Sequence, residues 1–174
     1  QIVGLRGTAQ DITERKLAET ERFEQLHFFE SMNKINKAIQ KNNSLEQMMS
    51  DVFDEMLSIL DCDRVWLVYP CDPNASSWNV PMERTKPEYP GVYELKLHMP
   101  MDHSVAESFR SVLASDGPMK YGEGTGNPLP EDVSKKFGFK SYISIVLHPK
   151  IGKPWQLGMH QCSYSRIWTK FEER

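Results

Sequence analysis

The chain has 174 residues, of which 39% are apolar and 26% charged, a composition ordinary for one soluble globular domain with a sizeable core. Its net charge of −3 excludes the overall positive field that would attract nucleic acid or acidic lipid. The longest apolar run, residues 142–147, is far shorter than a membrane span, so we expect no membrane insertion by this segment.

The first forty residues combine a strand-like opening with a long polar helix. GLRGTAQ, residues 4–10, is typical of a strand, and Asp11 and Glu14 then have the spacing of a capping box, with Thr13 as a rival N-cap. A helix is therefore predicted to begin there. Residues 14–25 have helical propensity but little to bury.

An apolar stripe follows on the same predicted helix, at spacings of three and four residues. Its members are Leu26, Phe29, Met32, Ile35 and Ile39. The stripe fits two alternatives equally well. One is a contact between two helices, within one chain or between two chains, and the other is a single amphipathic helix lying on its own domain.

A second helix is predicted from a second capping box, Ser44 to Gln47, which follows two asparagines that favour a break. Its apolar residues recur at i, i+3, i+4 and i+7, the pattern of one buried helix face. They are Leu45, Met48, Met49, Val52, Phe53, Met56, Leu57 and Leu60.

The central part of the chain is predicted to be mostly strand. Residues 64–70 are β-branched and aromatic, residues 78–84 form a second strand in which Pro81 indicates an edge or a bulge, and residues 92–100 are a further candidate. A third capping box, Ser104 to Glu107, predicts a helix that ends at the Asp-Gly-Pro of 116–118.

The remainder is predicted as short elements that end in a hairpin. Residues 119–121 form a short strand and 131–137 a short helix ended by Gly138. Residues 141–149 and 155–164 are strands paired as a hairpin. Thr169 to Glu172 has capping-box spacing and predicts a last helix.

This order predicts an α+β domain with a central antiparallel sheet. We expect the terminal helices on one face of the sheet, and the middle helices and loops on the other. A sheet that is roofed by loops and short helices commonly leaves a concavity under the roof, which makes that face the candidate ligand site.

Two stretches carry resemblances to known families. GLRGTAQDITERKLAE, residues 4–19, resembles the end of a PAS domain, whose last strand is followed by the D-I-T signature of the exit helix. From residue 44 the chain resembles a GAF domain, through SLEQMMSDVFDEMLSILDCDRVWLVYP at its front and GKPWQLGMHQCSYSRIWTKFEE at its back. The resemblance implies a PAS tail at 1–13, a signalling or coiled-coil helix at 14–43, and a GAF domain at 44–174 whose last helix is cut short.

The same resemblance implies a role. GAF domains are sensory and dimerisation modules, so the chain is expected to be a regulatory module of a cytoplasmic multidomain sensor, typically a bacterial or archaeal histidine kinase. It implies a homodimer through the N-terminal and terminal helices, PAS and kinase or other output domains as neighbours, and no enzymatic activity in this segment. The alternative is a dimerising spacer that binds no ligand.

The resemblance leaves the ligand open, because GAF domains bind cyclic nucleotides, tetrapyrroles or other small molecules. The tail of the cyclic-nucleotide signature is only echoed by Trp168, Glu172 and Glu173, which we interpret as an anchor for the last helix. A haem iron needs an axial His, Cys or Met. His160 and Cys162 form H-x-C on the last strand, so both project from one sheet face and are candidate tetrapyrrole ligands, or else ordinary core residues.

The expected pocket residues are Tyr142, His160, Phe109 and His103, since they lie on the last strands and the predicted roof helix. No zinc site is expected, because four clustered ligands are not evident. No hydrolase or P-loop motif is present. A GAF-like thiol enzyme remains a third alternative, and it requires an exposed, activated cysteine, for which Cys71 at the end of a strand is the candidate. The odd, scattered cysteines otherwise favour a reducing cytoplasm.

Overall fold

The computed structural model describes residues 3–41, 44–93 and 98–173 of the chain. Four helices and six strands are assigned within these ranges. In chain order they are α1 (Val3–Lys41), α2 (Leu45–Leu60), β1 (Arg64–Tyr69), β2 (Ser77–Thr85), β3 (Met99–Pro100), α3 (His103–Leu113), β4 (Met119–Tyr121), α4 (Glu131–Phe137), β5 (Ser141–Leu147) and β6 (Trp155–Gln161).

The strands form an antiparallel sheet in the order β3-β2-β1-β6-β5-β4. The central pair, β1 and β6, is in register from Arg64 opposite His160 to Val68 opposite Gln156. Side chains alternate across a strand, so successive residues of these strands contribute to two different layers. This alternation decides which residues reach the candidate site.

Each face of the sheet has its own core. Under α2 lies a cluster built from Phe53, Cys62, Val65, Ile143, Met159 and Trp168. Under α3 and α4 lies a larger, more aromatic cluster that includes Trp66, Trp78, Phe109, Phe139 and Tyr142. The structure therefore confirms the predicted α+β arrangement, with the N-terminal helices on one face and the middle helices on the other.

Helix α1 packs against α2, which fits both alternatives for its apolar stripe: a two-helix contact within the chain and a helix lying on its own domain. The contact uses the side of α1 that carries buried Ala38 and half-buried Ile35. Leu26 and Phe29 remain 63% and 62% exposed, because they lie on another side of the helix. The predicted stripe is thus not one buried face, and a contact between two chains stays a prediction.

The predicted strand at residues 4–10 is wrong, because α1 begins at Val3 and includes these residues. A strand needs a neighbouring strand for its backbone hydrogen bonds, and none of the described strands pairs with this stretch. A helix satisfies the same groups internally, which outweighs the cost of two glycines, about 1 kcal/mol each. It follows that Asp11 lies inside α1 and is not its N-cap.

Two smaller predictions are corrected and a third is confirmed only in part. Helix α3 is capped by Asp102, whose Oδ1 accepts a 2.8 Å hydrogen bond from the Val105 backbone N–H, and not by Ser104. The candidate strand at 92–100 is present as β3 only, with residues 94–97 outside the described residues. Residues 169–173 form turns and no helix, although the Thr169 N–H does donate to Glu172 at 2.6 Å, as a capping box would.

The bulge indicated by Pro81 is confirmed. Leu67 pairs with Met82 and Tyr69 with Asn79, so two residues of β2, Val80 and Pro81, lie opposite Val68 alone. A proline fits there because it has no N–H to contribute to the ladder. The extra residue bends β2, the strand that supplies Trp78 and Glu83 to the candidate site.

Candidate functional site

A cavity of about 70 Å³ lies between the sheet and the layer formed by α3 and α4. Its walls are largely aromatic and aliphatic: Trp66, Val68, Trp78, Val80, Val105, Phe109, Phe137 and Phe139. Its polar lining is Arg64, Glu83, Ser108, Tyr142, Gln156 and His160. This is the concavity that the sequence predicts under the roof of the sheet.

Three of the four expected pocket residues line this cavity. Tyr142 and His160 come from neighbouring strands, where they are direct cross-strand partners, and Phe109 comes from α3. His103 does not line it, because α3 begins two residues earlier than predicted and His103 lies exposed in its first turn. That a ligand binds to the other three remains a prediction.

Trp66 fits into the cavity wall because its cross-strand partner is a glycine. Trp66 lies opposite Gly158, and a Cβ added at Gly158 would come within 2.2 Å of Trp66 Cζ2. Such a distance is far inside van der Waals contact, so any other residue would displace the indole ring. The glycine in the middle of β6 therefore makes room for Trp66.

Arg64 is the main polar connection between the sheet and its roof. Its Nη1 donates to the Phe137 carbonyl at 3.1 Å and its Nη2 to the Pro90 carbonyl at 2.7 Å. Its Nε lies 3.6 Å from Glu83 Oε1, in an ion pair that is almost fully buried. Breaking such a pair leaves an uncompensated buried charge, so Arg64 and Glu83 depend on each other.

His160 is held neutral beside Arg64. Burial, and then the positive charge of Arg64, lower the pKa of His160 well below its usual value. Its Nδ1 lies 3.2 Å from Arg64 Nη1. A guanidinium can only donate, so Nδ1 accepts, and the single proton of the neutral ring stands on Nε2. The ring also stacks on Phe139, with centroids 4.2 Å apart and planes inclined by 11°.

Tyr142 is the second buried polar group on this face. Its hydroxyl lies 3.2 Å from Ser108 Oγ on α3, and its ring stacks on Tyr121 at 4.4 Å. Burial raises the pKa of Tyr142 above its usual value, so the hydroxyl keeps its proton. Tyr142 therefore offers a neutral hydroxyl that joins β5 to the roof helix.

Three cavity-lining residues carry buried N–H groups without a hydrogen-bond acceptor: Arg64 at Nε, Trp66 at Nε1 and Trp78 at Nε1. An unsatisfied buried donor costs about 1–3 kcal/mol, so three around one small cavity are unusual in a folded domain. Trp168 Nε1 is also unpaired, but it belongs to the core on the opposite face. These N–H groups are themselves inaccessible and belong to the packed wall of the cavity, where Arg64 Nε has the Glu83 carboxylate 3.6 Å away.

The cysteines are not suited to nucleophilic chemistry. All three are buried, and Cys162, although on the same sheet face as His160, lies in the core and does not line the cavity. Burial raises the pKa of both Cys62 and Cys71 to about 12, and burial also raises the pKa of Cys162. Cys71, the candidate for an exposed thiol, is instead fully buried in the aromatic core.

Sequence reasoning missed Asp63, which fastens the end of β6 to the start of β1. Its Oδ2 accepts hydrogen bonds from the Cys162 and Ser163 backbone N–H groups, both at 2.8 Å, and from Gln161 Nε2 at 2.6 Å. Burial by itself would raise the pKa of Asp63, but the hydrogen bonds from Ser163 and Cys162 outweigh it and hold the pKa below its usual value. The available signal was an acidic residue directly before a buried strand.

The segment after β6 is anchored through Arg166. Arg166 Nη1 donates to Gln161 Oε1 at 2.9 Å, its Nη2 pairs with Glu172, and its guanidinium stacks over Trp168 at 4.7 Å. Trp168 is buried and Glu173 pairs with Lys120. Trp168, Glu172 and Glu173 thus do anchor the end of the chain, as interpreted from the sequence, although the segment is not a helix.

The residues present do not fit a tetrapyrrole. The cavity holds about 70 Å³, less than half the volume of an engineered cavity of about 150 Å³ that binds benzene, which is far smaller than a tetrapyrrole. The lone pair of neutral His160 is already engaged by Arg64, so Nε2 has none to offer to iron. Cys162 does not line the cavity, so the paired His and Cys ligands expected from H-x-C are not brought together there.

Metal and membrane sites are likewise not evident in the part of the chain that the structure describes. Within residues 3–41, 44–93 and 98–173, no three His, Cys, Asp or Glu side chains are grouped so as to hold a metal ion. None of the helices in these ranges has the length and apolar character that crossing a membrane requires.

Comparison with known proteins identifies the fold. No protein-family model and no curated protein matches the chain. Solved structures do match. The far-red absorbing dark state of a protein with bound biliverdin IXa has a TM-score of 0.67 at 15% identity, over 82% of this chain and 88% of that one. A phycocyanobilin-bound GAF domain from a cyanobacterial phytochrome has a TM-score of 0.65 at 19% identity, over 83% and 85%.

A third solved structure agrees with these two. The chromophore-binding domain of Stigmatella aurantiaca phytochrome P1 has a TM-score of 0.64 at 17% identity, over 84% of this chain and 55% of that one. Identities this low establish the fold and nothing finer. The chain has the GAF fold, as the resemblance of residues 44–174 implies.

Proposed function

We propose that this chain is a sensory module that binds a small molecule in the cavity between the sheet and α3. The observation that carries the proposal is the cavity itself, whose aromatic and aliphatic walls also contain a few polar side chains, Arg64, Glu83, Tyr142 and His160. A concave, mostly apolar site with a few placed polar groups is the usual form of a small-molecule pocket. A spacer would be expected to fill this volume with packed side chains.

The proposed signal runs from the cavity to the end of the chain through adjacent residues. Arg64 and His160 line the cavity, and their sequence neighbours Asp63 and Gln161 hold the segment after β6. A shift of β1 or β6 would therefore change both the cavity and the contacts that hold the segment after β6. From Gln161 the contacts continue to Arg166 and Glu172.

The segment after β6 also reaches α1, since the rings of Phe171 and His27 lie 5.1 Å apart. An apolar groove of about 340 Å³, bounded by Phe28, Ile35 and Phe171, leaves α1 incompletely packed against the sheet. A ligand shifts the arrangement of a helix only if it binds two arrangements with different affinity. Because α1 is incompletely packed, it can adopt a second arrangement against the sheet.

In this proposal α1 is the transmitting helix, and the parent protein is a cytoplasmic sensor, such as a histidine kinase, with a PAS domain before this segment. The support is the D-I-T signature and the exposed apolar residues of α1, which include Phe23, Leu26 and Phe29. Two copies of α1 would cover these residues in a homodimer. Catalysis would belong to another part of the parent chain.

A spacer without a ligand is the second candidate, and one observation favours it. The cavity of about 70 Å³ is small and its aromatic walls are close together, as when Trp78 contacts both Phe109 and Phe137 at ring distances of 6.4 and 6.0 Å. The bilins of the matched structures are not carried over to this chain, because the cavity residues do not fit them.

A screen with a cavity-filling variant tests sensor against spacer. Val133 lines the cavity, so Val133→Phe should occupy its free volume, while Ile151→Phe on the exposed β5–β6 connection serves as the control. The unfolding temperature of each protein is measured with a library of small metabolites, and hydrogen exchange of residues 163–173 is followed for every hit.

The sensor proposal expects at least one compound to raise the unfolding temperature of the wild type and of Ile151→Phe, but not of Val133→Phe. The same compound should change amide exchange in residues 163–173. If no compound acts through the cavity and Val133→Phe is simply more stable, the spacer is correct. A compound that binds without changing the exchange would refute the proposed signal path.

A further inference from the structure

One side of the cavity is covered by a short irregular segment, residues 89–93, which we call the strap. No α-helix or β-strand is assigned to it. Two side chains of the sheet hold it in place. Arg64 Nη2 donates to the Pro90 carbonyl at 2.7 Å, and the Tyr93 backbone N–H donates to Glu83 Oε2 at 2.9 Å. The strap is thus fastened near both of its ends by hydrogen bonds to the sheet.

Polar contacts, and not deep burial, hold the strap. None of its residues is buried, and Pro90 is exposed. Helix α3, which also covers the cavity, buries four side chains: Val105, Ala106, Phe109 and Val112. A segment with few buried apolar contacts opens at a lower free-energy cost than one that is packed into the core. The strap can therefore open while α3 stays in place.

Opening at the strap would connect the cavity to a second pocket. This pocket has a volume of about 180 Å³, and its walls include Glu83 and Tyr93. Because the exposed residues Ser44 and Gln47 also line it, the pocket is open to solvent. Glu83 lines the cavity as well. Moving Tyr93 away from Glu83 would therefore create a path from solvent into the cavity.

The two side chains that hold the strap also belong to the cavity wall. Arg64 Nε lies 3.6 Å from Glu83 Oε1 in an ion pair that is almost fully buried, and both residues line the cavity. Arg64 Nη1 also donates to the Phe137 carbonyl at the end of α4, at 3.1 Å. A molecule in the cavity that moves either charged side chain would therefore change the hold on the strap, and would favour the strap position in which it binds more tightly.

We propose that the strap is the entrance of the cavity and that the Arg64–Glu83 pair holds it closed. This inference rests on the proposed binding of a small molecule in the cavity and adds the route by which that molecule enters. In the closed arrangement of the structure, Val92 completes the cavity wall. In the open arrangement the hydrogen bond from Tyr93 to Glu83 is broken, and the cavity exchanges its contents with solvent.

A pair of glycine variants tests the strap without removing either charge. A Cβ added at Gly91 would overlap the Glu83 carboxylate, so in Gly91→Ala the strap and Glu83 have to move apart. Gly117→Ala is the matched control, because a Cβ there meets nothing. Hydrogen exchange of the wild type and of both variants is measured by nuclear magnetic resonance under native conditions.

The indole N–H groups of the tryptophans report on access to the cavity. Those of Trp66 and Trp78 are buried without a hydrogen-bond acceptor and belong to cavity-lining residues, so solvent access alone limits their exchange. The indole N–H of Trp168 is buried and unpaired in the opposite core, which makes it the control signal. Single Trp→Phe variants assign the signals.

We expect Gly91→Ala to speed the exchange of the Trp66 and Trp78 indoles and of the Tyr93 amide at least about tenfold, and to leave Trp168 unchanged. A change of this size corresponds to the loss of one hydrogen bond to a charged group. Gly117→Ala should exchange like the wild type at all these positions.

Three outcomes would overturn the inference. Equal acceleration of Trp66, Trp78 and Trp168 would indicate global destabilisation and no local entrance. Faster exchange of the Tyr93 amide alone would mean that the strap opens without exposing the cavity, and unchanged exchange at every position would mean that the strap does not open.

If Gly91→Ala does not fold, Val92→Ala provides a second test, because it removes only the apolar contact of the strap with the cavity. The same order of signals is expected from it, and the same outcomes count against the entrance. Failure here leaves the sensory proposal standing, since the metabolite screen decides that proposal separately.

Discussion

Replacing Asp63 by Asn removes the charge from the residue that joins β1 to the end of β6 while keeping its size. The Asp63 carboxylate is almost fully buried and its Oδ2 accepts from the Gln161 side chain and from the Cys162 and Ser163 backbone. Lys86 Nζ lies 3.2 Å from its other oxygen. Hydrogen bonds to a charged group are worth about 1.5–3 kcal/mol each against about 0.5–1.5 for neutral ones.

The free energy of unfolding should therefore fall by about 3 kcal/mol in Asp63→Asn, measured by urea denaturation at neutral pH. The matched control is Asp72→Asn, since Asp72 pairs with half-exposed Lys153 at 2.7 Å at the surface. An exposed pair of this kind is worth about 1 kcal/mol or less. A loss below about 1 kcal/mol for Asp63→Asn would refute the conclusion that the Asp63 carboxylate holds the end of β6 to the start of β1.

The same variant has a defined pH dependence. The pKa of Asp63 is lowered in the folded state, because its hydrogen bonds outweigh burial, so its contribution is complete above the unfolded value of about 3.9. The contribution is lost as the pH falls through the lowered folded pKa. The difference in stability between the wild type and Asp63→Asn should be constant above about pH 5 and shrink below about pH 4. A difference that stays constant down to low pH would contradict the assignment.

Four further predictions follow from packing and burial. Gly158→Ala should lower the free energy of unfolding by about 1–3 kcal/mol through its clash with Trp66, while Gly126→Ala, which meets nothing, should be neutral in the same urea titration. If the exposed stripe of α1 pairs two chains, Leu26→Glu should convert a dimer into a monomer in sedimentation without loss of helicity; a monomeric wild type would remove the dimer proposal. Burial raises the pKa of Cys62 and Cys71 to about 12, so these thiols should react with a disulfide reagent only when the protein unfolds. Rapid labelling of the folded protein would instead support the thiol-enzyme alternative. Protein expressed with haem precursor should show no Soret band, and a band that shifts on reduction would show that the cavity opens far beyond its present size.

Several elements of the GAF fold could be predicted because local signals and burial patterns agreed. The apolar face of α2, the β-branched run of β1 and the glycine that ends α4 each satisfy local and tertiary requirements together. Prediction failed where a local signal had no tertiary support. Residues 4–10 look like a strand, but no described strand pairs with them, and a helix satisfies their backbone without a partner.

For the site, strand alternation showed that His160 and Cys162 share one sheet face, and the order of elements suggested Tyr142 and Phe109 as pocket residues. It did not show that Arg64, twenty-five or more residues from its carbonyl partners, would engage His160 and Glu83. His103 was placed in the pocket because it lies at the predicted roof helix, but it is exposed in the first turn of α3. Contacts between distant segments leave no local signal in the sequence, so the Arg64–Glu83 ion pair could not be predicted from it.

The sequence by itself determined the order of elements from α2 to β6, the two faces of the sheet and the resemblance to a GAF domain, since these depend on residue periodicity and turn chemistry. Only the tertiary structure decided the size of the cavity, the proton position on His160 and the three donors without partners. Those properties arise where β1, β2 and β6 meet α3 and α4. They depend on differences of a few tenths of an ångström in the distances between side chains that are far apart in the chain. No pattern in the linear order records such distances.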